Sequence, residues 1–264
     1  METTESTFDD YQHFYERVNR SKVFTKFCEQ AYGIDLSQDG FADKKQIDFL
    51  INKLEINSND TVLDIGCGYG KIANYVHQKT NASIDGIDYS PNAIGQASIY
   101  ENVKMHFSIM NINEIVIQQS KYSKVFFIDT IYFSSNYEKT LMEVYAKIKK
   151  YGRIGIYYSD FIFDENKRIQ KIDGNETQIA KILIKNNLSY DVYDFTANHY
   201  ELMRKRRIAS IKLKNDFISE GNESLYDKVY DESIDLNMNV NDFIKFSNRY
   251  FYCVKKDKRG AYCT

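Results

Sequence analysis

Hydrophobic positions along the chain change period several times, and the changes mark out its elements. Residues 42–54 carry Ile47, Leu50, Ile51 and Leu54 at helical spacing, behind Asp43 as N-cap. Five short apolar runs follow, at residues 61–65, 83–88, 103–109, 124–129 and 153–158, and each reads as a strand. Helical stretches separate most of them, clearest at 71–79, 91–101 and 137–149, where Pro91 suits a first helical turn. Residues 176–186 continue as helix and 189–195 as a sixth strand. A long polar stretch of helical pattern, 198–247, precedes a seventh strand at 249–255. Strands alternating with helices predict a mostly parallel sheet covered on both faces. Ahead of it, Phe14, Val18, Phe24 and Phe27 predict one or two amphipathic helices within residues 8–32.

The chain therefore divides into a helical cap (1–41), an α/β core (42–197), a helical lid inserted before the last strand (198–248), and that strand with a tail (249–264). Its 264 residues are 43% hydrophobic, ample for a packed core. Basic and acidic residues number 35 and 37, for a net charge of −2, so no global field draws a polyanion and nucleic acid is not the expected partner. Cys28, Cys67, Cys253 and Cys263 form no C-x-x-C pair and no zinc spacing, so no metal is expected and the thiols should be reduced, as in a cytoplasm. No run approaches the roughly eighteen apolar residues of a membrane span, and the acidic, Ser/Thr-rich start does not read as a secretory leader.

The densest chemistry lies where the first strand meets the next helix, in Val62-Leu63-Asp64-Ile65-Gly66-Cys67-Gly68-Tyr69-Gly70. Glycines at 66, 68 and 70 let the backbone turn tightly and approach a ligand at a helix N-terminus. A pyrophosphate site needs G-x-G-x-x-G, but the third glycine position holds Lys71, and Asp64 would repel phosphate. A carboxylate there suits an ammonium group instead. Asp88, at the end of the second strand, can accept both hydroxyls of a ribose. The alternative, a structural strand-to-helix corner, needs neither aspartate.

Residues 42–158 resemble the class I S-adenosylmethionine (SAM)-dependent methyltransferases, with 64–70 similar to their first motif and Asp88 to their ribose-binding acid. The resemblance implies a Rossmann-like fold, SAM as cofactor, Tyr89 beside adenine, and Asn111 and Ile112 at the adenine edge. The family usually carries Asp where this chain has Asn111, whose amide oxygen can still accept a hydrogen bond. It further implies that the segment after the fourth strand borders both the methionine part of SAM and the methyl acceptor. Asp129 and Tyr132 are thus candidates for cofactor and acceptor contact and for catalysis, and Asp160, after the fifth strand, for acceptor contact.

His199, with a reference pKa near neutrality, is the candidate base, set against a solvent-exposed lid histidine. Tyr11 and Tyr15 of the cap are candidate acceptor contacts. The dense basic run Arg204-Lys205-Arg206-Arg207 reads either as an anion site or as a solvated helix face. No Asn-Pro-Pro-Tyr or Asp-Pro-Pro-Tyr follows the fourth strand, so the resemblance does not extend to methylation of nucleic-acid bases. The expected activity is methyl transfer to N or O of a small-molecule acceptor, in the family's small-molecule branch. The alternatives are an RNA or protein methyltransferase and a SAM-binding protein without catalysis. The sequence leaves the oligomeric state open.

Overall fold

Alternating side chains on each strand demand cover on both faces, and the helices supply it. The computed structural model describes residues 14–37, 39–161 and 170–257. Its seven strands are β1 (Thr61–Ile65), β2 (Ser83–Asp88), β3 (Met105–Ile109), β4 (Lys124–Ile128), β5 (Arg153–Phe161), β6 (Ser189–Asp194) and β7 (Ser247–Lys255). They form one sheet in the order β3-β2-β1-β4-β5-β7-β6, parallel throughout except for β7, which runs antiparallel to both neighbours. Strand order reverses between β1 and β4, so the crevice for a ligand lies at their carboxyl ends.

On β4, Val125 and Phe127 point to one face, where α5 (Tyr137–Lys147) and α6 (Gln178–Lys185) pack. Phe126 and Ile128 point to the other, with α2 (Lys44–Leu54), α3 (Lys71–Thr80) and α4 (Pro91–Ala97). Asp43 caps α2 by accepting from the Gln46 N–H, and Pro91 stands in the first turn of α4.

Strand limits move where pairing overrides local pattern. β3 starts at Met105 because Asn102 and Met105 exchange backbone hydrogen bonds, leaving Val103 94% exposed. β5 runs on to Phe161, and β7 starts at Ser247, because the two pair along their whole length from Arg153↔Lys255 to Phe161↔Ser247.

Helix α1 (Lys22–Tyr32) packs against α7 (Thr196–Ser219), the 24-residue helix that follows β6, and α7 packs in turn against α8 (Glu223–Asp231). Phe24 and Phe27 of α1, Leu213 and Phe217 of α7, and Leu225 and Val229 of α8 share one hydrophobic cluster. Cap and insertion are thus a single packed unit. A short helix, α9 (Val240–Phe243), leads into β7. Among the described residues no helix is long and apolar enough to cross a membrane.

Candidate active site

The turn after β1 is pinned to β2, since Gly66 and Cys67 both donate their N–H to the Ile87 carbonyl, at 2.8 and 3.0 Å. Gly66 has φ +80°, and a Cβ there would collide with the Thr130 side chain. Gly68 has φ +49°, and a Cβ would lie 2.7 Å from the Tyr15 hydroxyl. Both positions therefore require glycine. The turn opens a pocket lined by Asp64, Gly66, Cys67, Gly68, Asp88, Tyr89, Asn111, Ile112 and Asp129, and also by Tyr15 and Asp39 from ahead of the core. Gly70 is the N-cap of α3 with φ +71° and packs against Phe107.

Asp64 is 3% exposed, and its Oδ2 has no hydrogen-bond partner. Burial, and after it the nearby Asp88, push its carboxyl well above the usual range. Asp88 accepts from the Gly68 N–H through Oδ2 and the Ser90 N–H through Oδ1, both at 2.9 Å. Burial raises its pKa, and these backbone donors oppose the rise. Asn111 lines the pocket, but its Oδ1 accepts from the Asn113 backbone and side chain, at 2.9 and 3.2 Å. An adenine amino group competes with Asn113 for that oxygen.

The residues expected around the acceptor are dispersed. Asp129, with φ +56°, is held by Arg249: Nη1 meets Oδ1 at 2.6 Å and Nη2 meets Oδ2 at 2.9 Å. The Phe41 N–H also donates to Oδ2, at 2.8 Å. Arg249 is fully buried and further donates to Gln46 Oε1 and Ser159 Oγ, at 2.7 and 2.8 Å. The Asp129 carboxylate is thus committed to an internal ion pair. Tyr132 lies outside the pocket lining, its hydroxyl donating to the Ser159 carbonyl and accepting from the Ser159 N–H. Asp160, next to last on β5, pairs opposite Asn248, also outside the lining.

His199 is not an exposed lid residue. It is fully buried against Phe41, Phe161 and Phe243, with ring centroids 5.2 to 6.1 Å apart and both nitrogens unpartnered. Burial, then Arg249 and Arg206, push its pKa well below the usual value, so the ring is neutral. Tyr15 does reach the pocket, stacked at a tilt on Tyr69 with centroids 4.9 Å apart. Tyr11 lies outside the described residues.

The basic run is neither an anion site nor a solvated face. Arg204 donates to the Leu236 carbonyl, Arg207 to the Ile234 carbonyl, and buried Arg206 to Tyr32 and Glu232. Lys205 alone of the four is exposed.

The sequence profile of the methyltransferase domain family matches residues 56–220, which carry the glycine turn, Asp64 and Asp88. The chain belongs to that family. This methyltransferase domain is 29% identical over 132 residues to the sterol 24-C-methyltransferase of Debaryomyces hansenii, covering 47% of the chain and 35% of the relative. Phosphoethanolamine N-methyltransferase of Plasmodium falciparum is 28% identical over 154 residues, covering 53% and 57%. The chain thus spans about a third to just over half of the length of these curated relatives. Among solved structures, phosphoethanolamine N-methyltransferase 2 of Haemonchus contortus, in complex with SAM, superposes with a TM-score of 0.71 at 16% identity, over 94% of this chain and 60% of that one. The shared fold is Rossmann-like.

Sequence patterning missed two site residues of the methyltransferase, Arg249 and Asp39. Arg249 sat unremarked in an apolar strand, although a charge within RYFYCVK is itself a signal of a buried pair. Asp39, in a loop of no clear period, carried none, whereas Thr130, whose hydroxyl donates to the Ile65 carbonyl at 2.7 Å, lies in the segment after the fourth strand that the sequence points to.

Proposed function

We propose that the chain is a SAM-dependent methyltransferase that moves a methyl group to the N or O of a small-molecule acceptor. The observation that carries this reading is the unpartnered Asp64 oxygen, buried at the carboxyl end of β1 in a pocket that also holds Asp88. A buried carboxylate without a partner is costly, and an ammonium group relieves that cost. The residues present therefore fit SAM: Asp64 for the amino group of the methionine moiety, Asp88 for the ribose hydroxyls, the backbone of Gly66 to Gly70 for close approach. Tyr89, Asn111 and Ile112 would border adenine. When bound, SAM supplies an electrophilic methyl on a sulfonium, which needs no acid to leave.

The protein's part is then alignment and water exclusion. Asp129 acts as a positioning residue, since Arg249 and the Phe41 N–H hold it where it ties residues 40–41 to the end of β4. Tyr132 fixes the end of β5, and Tyr15 faces the pocket as an acceptor contact. We assign no base to His199, whose neutral ring stands in a closed aromatic box. The names of relatives that act on sterols and phosphoethanolamine support a small acceptor. The consumption of Arg204, Arg206 and Arg207 inside the fold speaks against an RNA acceptor. Buried, unpaired Cys28, Cys67 and Cys253 suit a reducing cytoplasm.

Calorimetric titration with SAM and, separately, with NAD tests the reading. Micromolar SAM binding without an NAD response supports it, and absence of SAM binding overturns it. Asp88→Ala should lower SAM affinity by about 1.5–3 kcal/mol, roughly 10- to 150-fold, by removing charged hydrogen bonds to the ribose.

A further inference from the structure

Lys71 stands where a dinucleotide fingerprint would carry its third glycine, and it is the first residue of α3, directly after the glycine turn. A cation in the first turn of a helix opposes the helix dipole, and no acidic residue in that turn offsets it. The offset comes from ahead of the core. Lys71 Nζ donates to Asp35 Oδ2 at 2.5 Å and to Ser37 Oγ at 2.7 Å. The side chains of this ion pair are only 24% and 20% exposed, so the contact is shielded from most of the solvent.

Asp35 and Ser37 are in turn locked together. Asp35 Oδ1 accepts from the Ser37 hydroxyl at 2.6 Å and from the Ser37 N–H at 3.0 Å, while the Thr25 hydroxyl of α1 donates to Oδ2 at 3.3 Å. Ser37 has φ +40°, a left-handed backbone that a residue other than glycine keeps only where its surroundings hold it. The holders here are the Asp35 carboxylate and the Lys71 ammonium. What they hold is wall: Leu36 and Ser37, both buried, line the pocket together with Asp64, the glycine turn and Asp88. Lys71 and Asp35 stand outside the lining. The ammonium therefore reaches around from α3 and fastens one piece of the pocket wall to the helix that the glycine turn leads into.

We propose that Lys71 is a positioning residue for the cofactor, which through Asp35 and Ser37 holds residues 35–37 closed against the pocket and so sets how slowly bound SAM leaves. This rests on the SAM-dependent reading above. With the ammonium gone, Ser37 loses one of its two holders, its strained backbone relaxes, and Leu36 withdraws from the wall. Opening of such a segment limits ligand release rather than ligand entry.

The test uses the intact chain and tritiated S-adenosylhomocysteine, released into excess unlabelled ligand, beside calorimetric affinities for the same compound. Lys71→Met, similar in length but uncharged, should release it about tenfold faster and bind it about tenfold more weakly, with association within twofold of the wild type. Asp35→Asn should do the same, and the double variant should be no worse than the worse single one, because both changes cut one linkage. Lys71→Arg, which keeps the charge, should stay within threefold of the wild type. In the ligand-free chain, hydrogen exchange of the amides of residues 35–37 should speed up in Lys71→Met while β1 keeps its protection. A lower melting temperature with release unchanged makes Lys71 a stabilising residue only and overturns the proposal. So do additive effects of Lys71→Met and Asp35→Asn, or faster release without faster exchange at residues 35–37, since Lys71 then acts by another route. A wild-type chain that binds the ligand, with a Lys71→Met variant that holds it equally long, loses only this inference. A wild-type chain that binds neither SAM nor S-adenosylhomocysteine loses the reading beneath it.

Discussion

Asp64 is destabilising in the unliganded chain and serves the liganded one. Its folded pKa lies above the unfolded value, so the folded state holds the proton more tightly. Its effect on stability is therefore most favourable below the unfolded pKa and is lost as pH rises through the folded pKa. Two outcomes of opposite sign follow. Asp64→Asn should raise the melting temperature of the ligand-free chain at pH 7.5 by a few degrees, on the order of 1 kcal/mol, read by calorimetry. The same variant should lose SAM affinity. In the wild type, SAM binding should release a proton from Asp64, seen as a heat that changes with the ionisation enthalpy of the buffer, and its affinity should fall with acidity. A binding heat independent of the buffer would remove Asp64 from contact with the ammonium. None of this depends on long-range pattern: Asp64 and Gly66 were legible because one strand, one turn and one helix bring their chemistry together in sequence, and Asp88 because it closes the very next strand.

At the scale of elements, the buried Asp129–Arg249 pair ties β4 to β7, with Gln46 of α2 and Ser159 of β5 bound to the same guanidinium. Arg249→Met should cost about 3–5 kcal/mol in urea unfolding, because the Asp129 carboxylate is left buried and unpaired. Asp129→Asn on that background should restore part of the loss, and a double-mutant cycle gives the coupling. Strict additivity of the two changes would contradict the pairing. Such a pair was half legible: an arginine in an apolar strand signals a buried partner, but the partner stands 120 residues away and nothing local names it. The same reason hid the destination of the basic run, whose partners Tyr32, Glu232, Ile234 and Leu236 lie in the cap and in the loops that follow α8. Periodicity did find the elements themselves. It erred at their ends, as at Val103 and Ser247, where pairing between strands decides.

At the scale of the molecule, the cap and the insertion looked like two covers in sequence and are one body in space. Phe27, fully buried where α1 meets α7, tests that unity. Phe27→Ala should cost about 3–5 kcal/mol. In hydrogen exchange, amides of α7 and α8 should lose protection together with those of α1, while β1 and β4 keep theirs. Loss confined to α1 would mean that the two covers open separately.

The order in which these parts leave the ribosome gives the shared core a further meaning. The cap helix α1 is made before the core, yet its partners in α7 and α8 are made only after β6. β6 likewise waits for β7 to reach it across the gap beside β5. The glycine turn is therefore synthesised early and covered late, and contacts so remote in sequence make for slow closure. A nascent chain stalled before Ser247 holds a formed turn, an unpaired β6 and no arginine for Asp129, so ligand binding should report the arrival of β7 rather than the making of the turn.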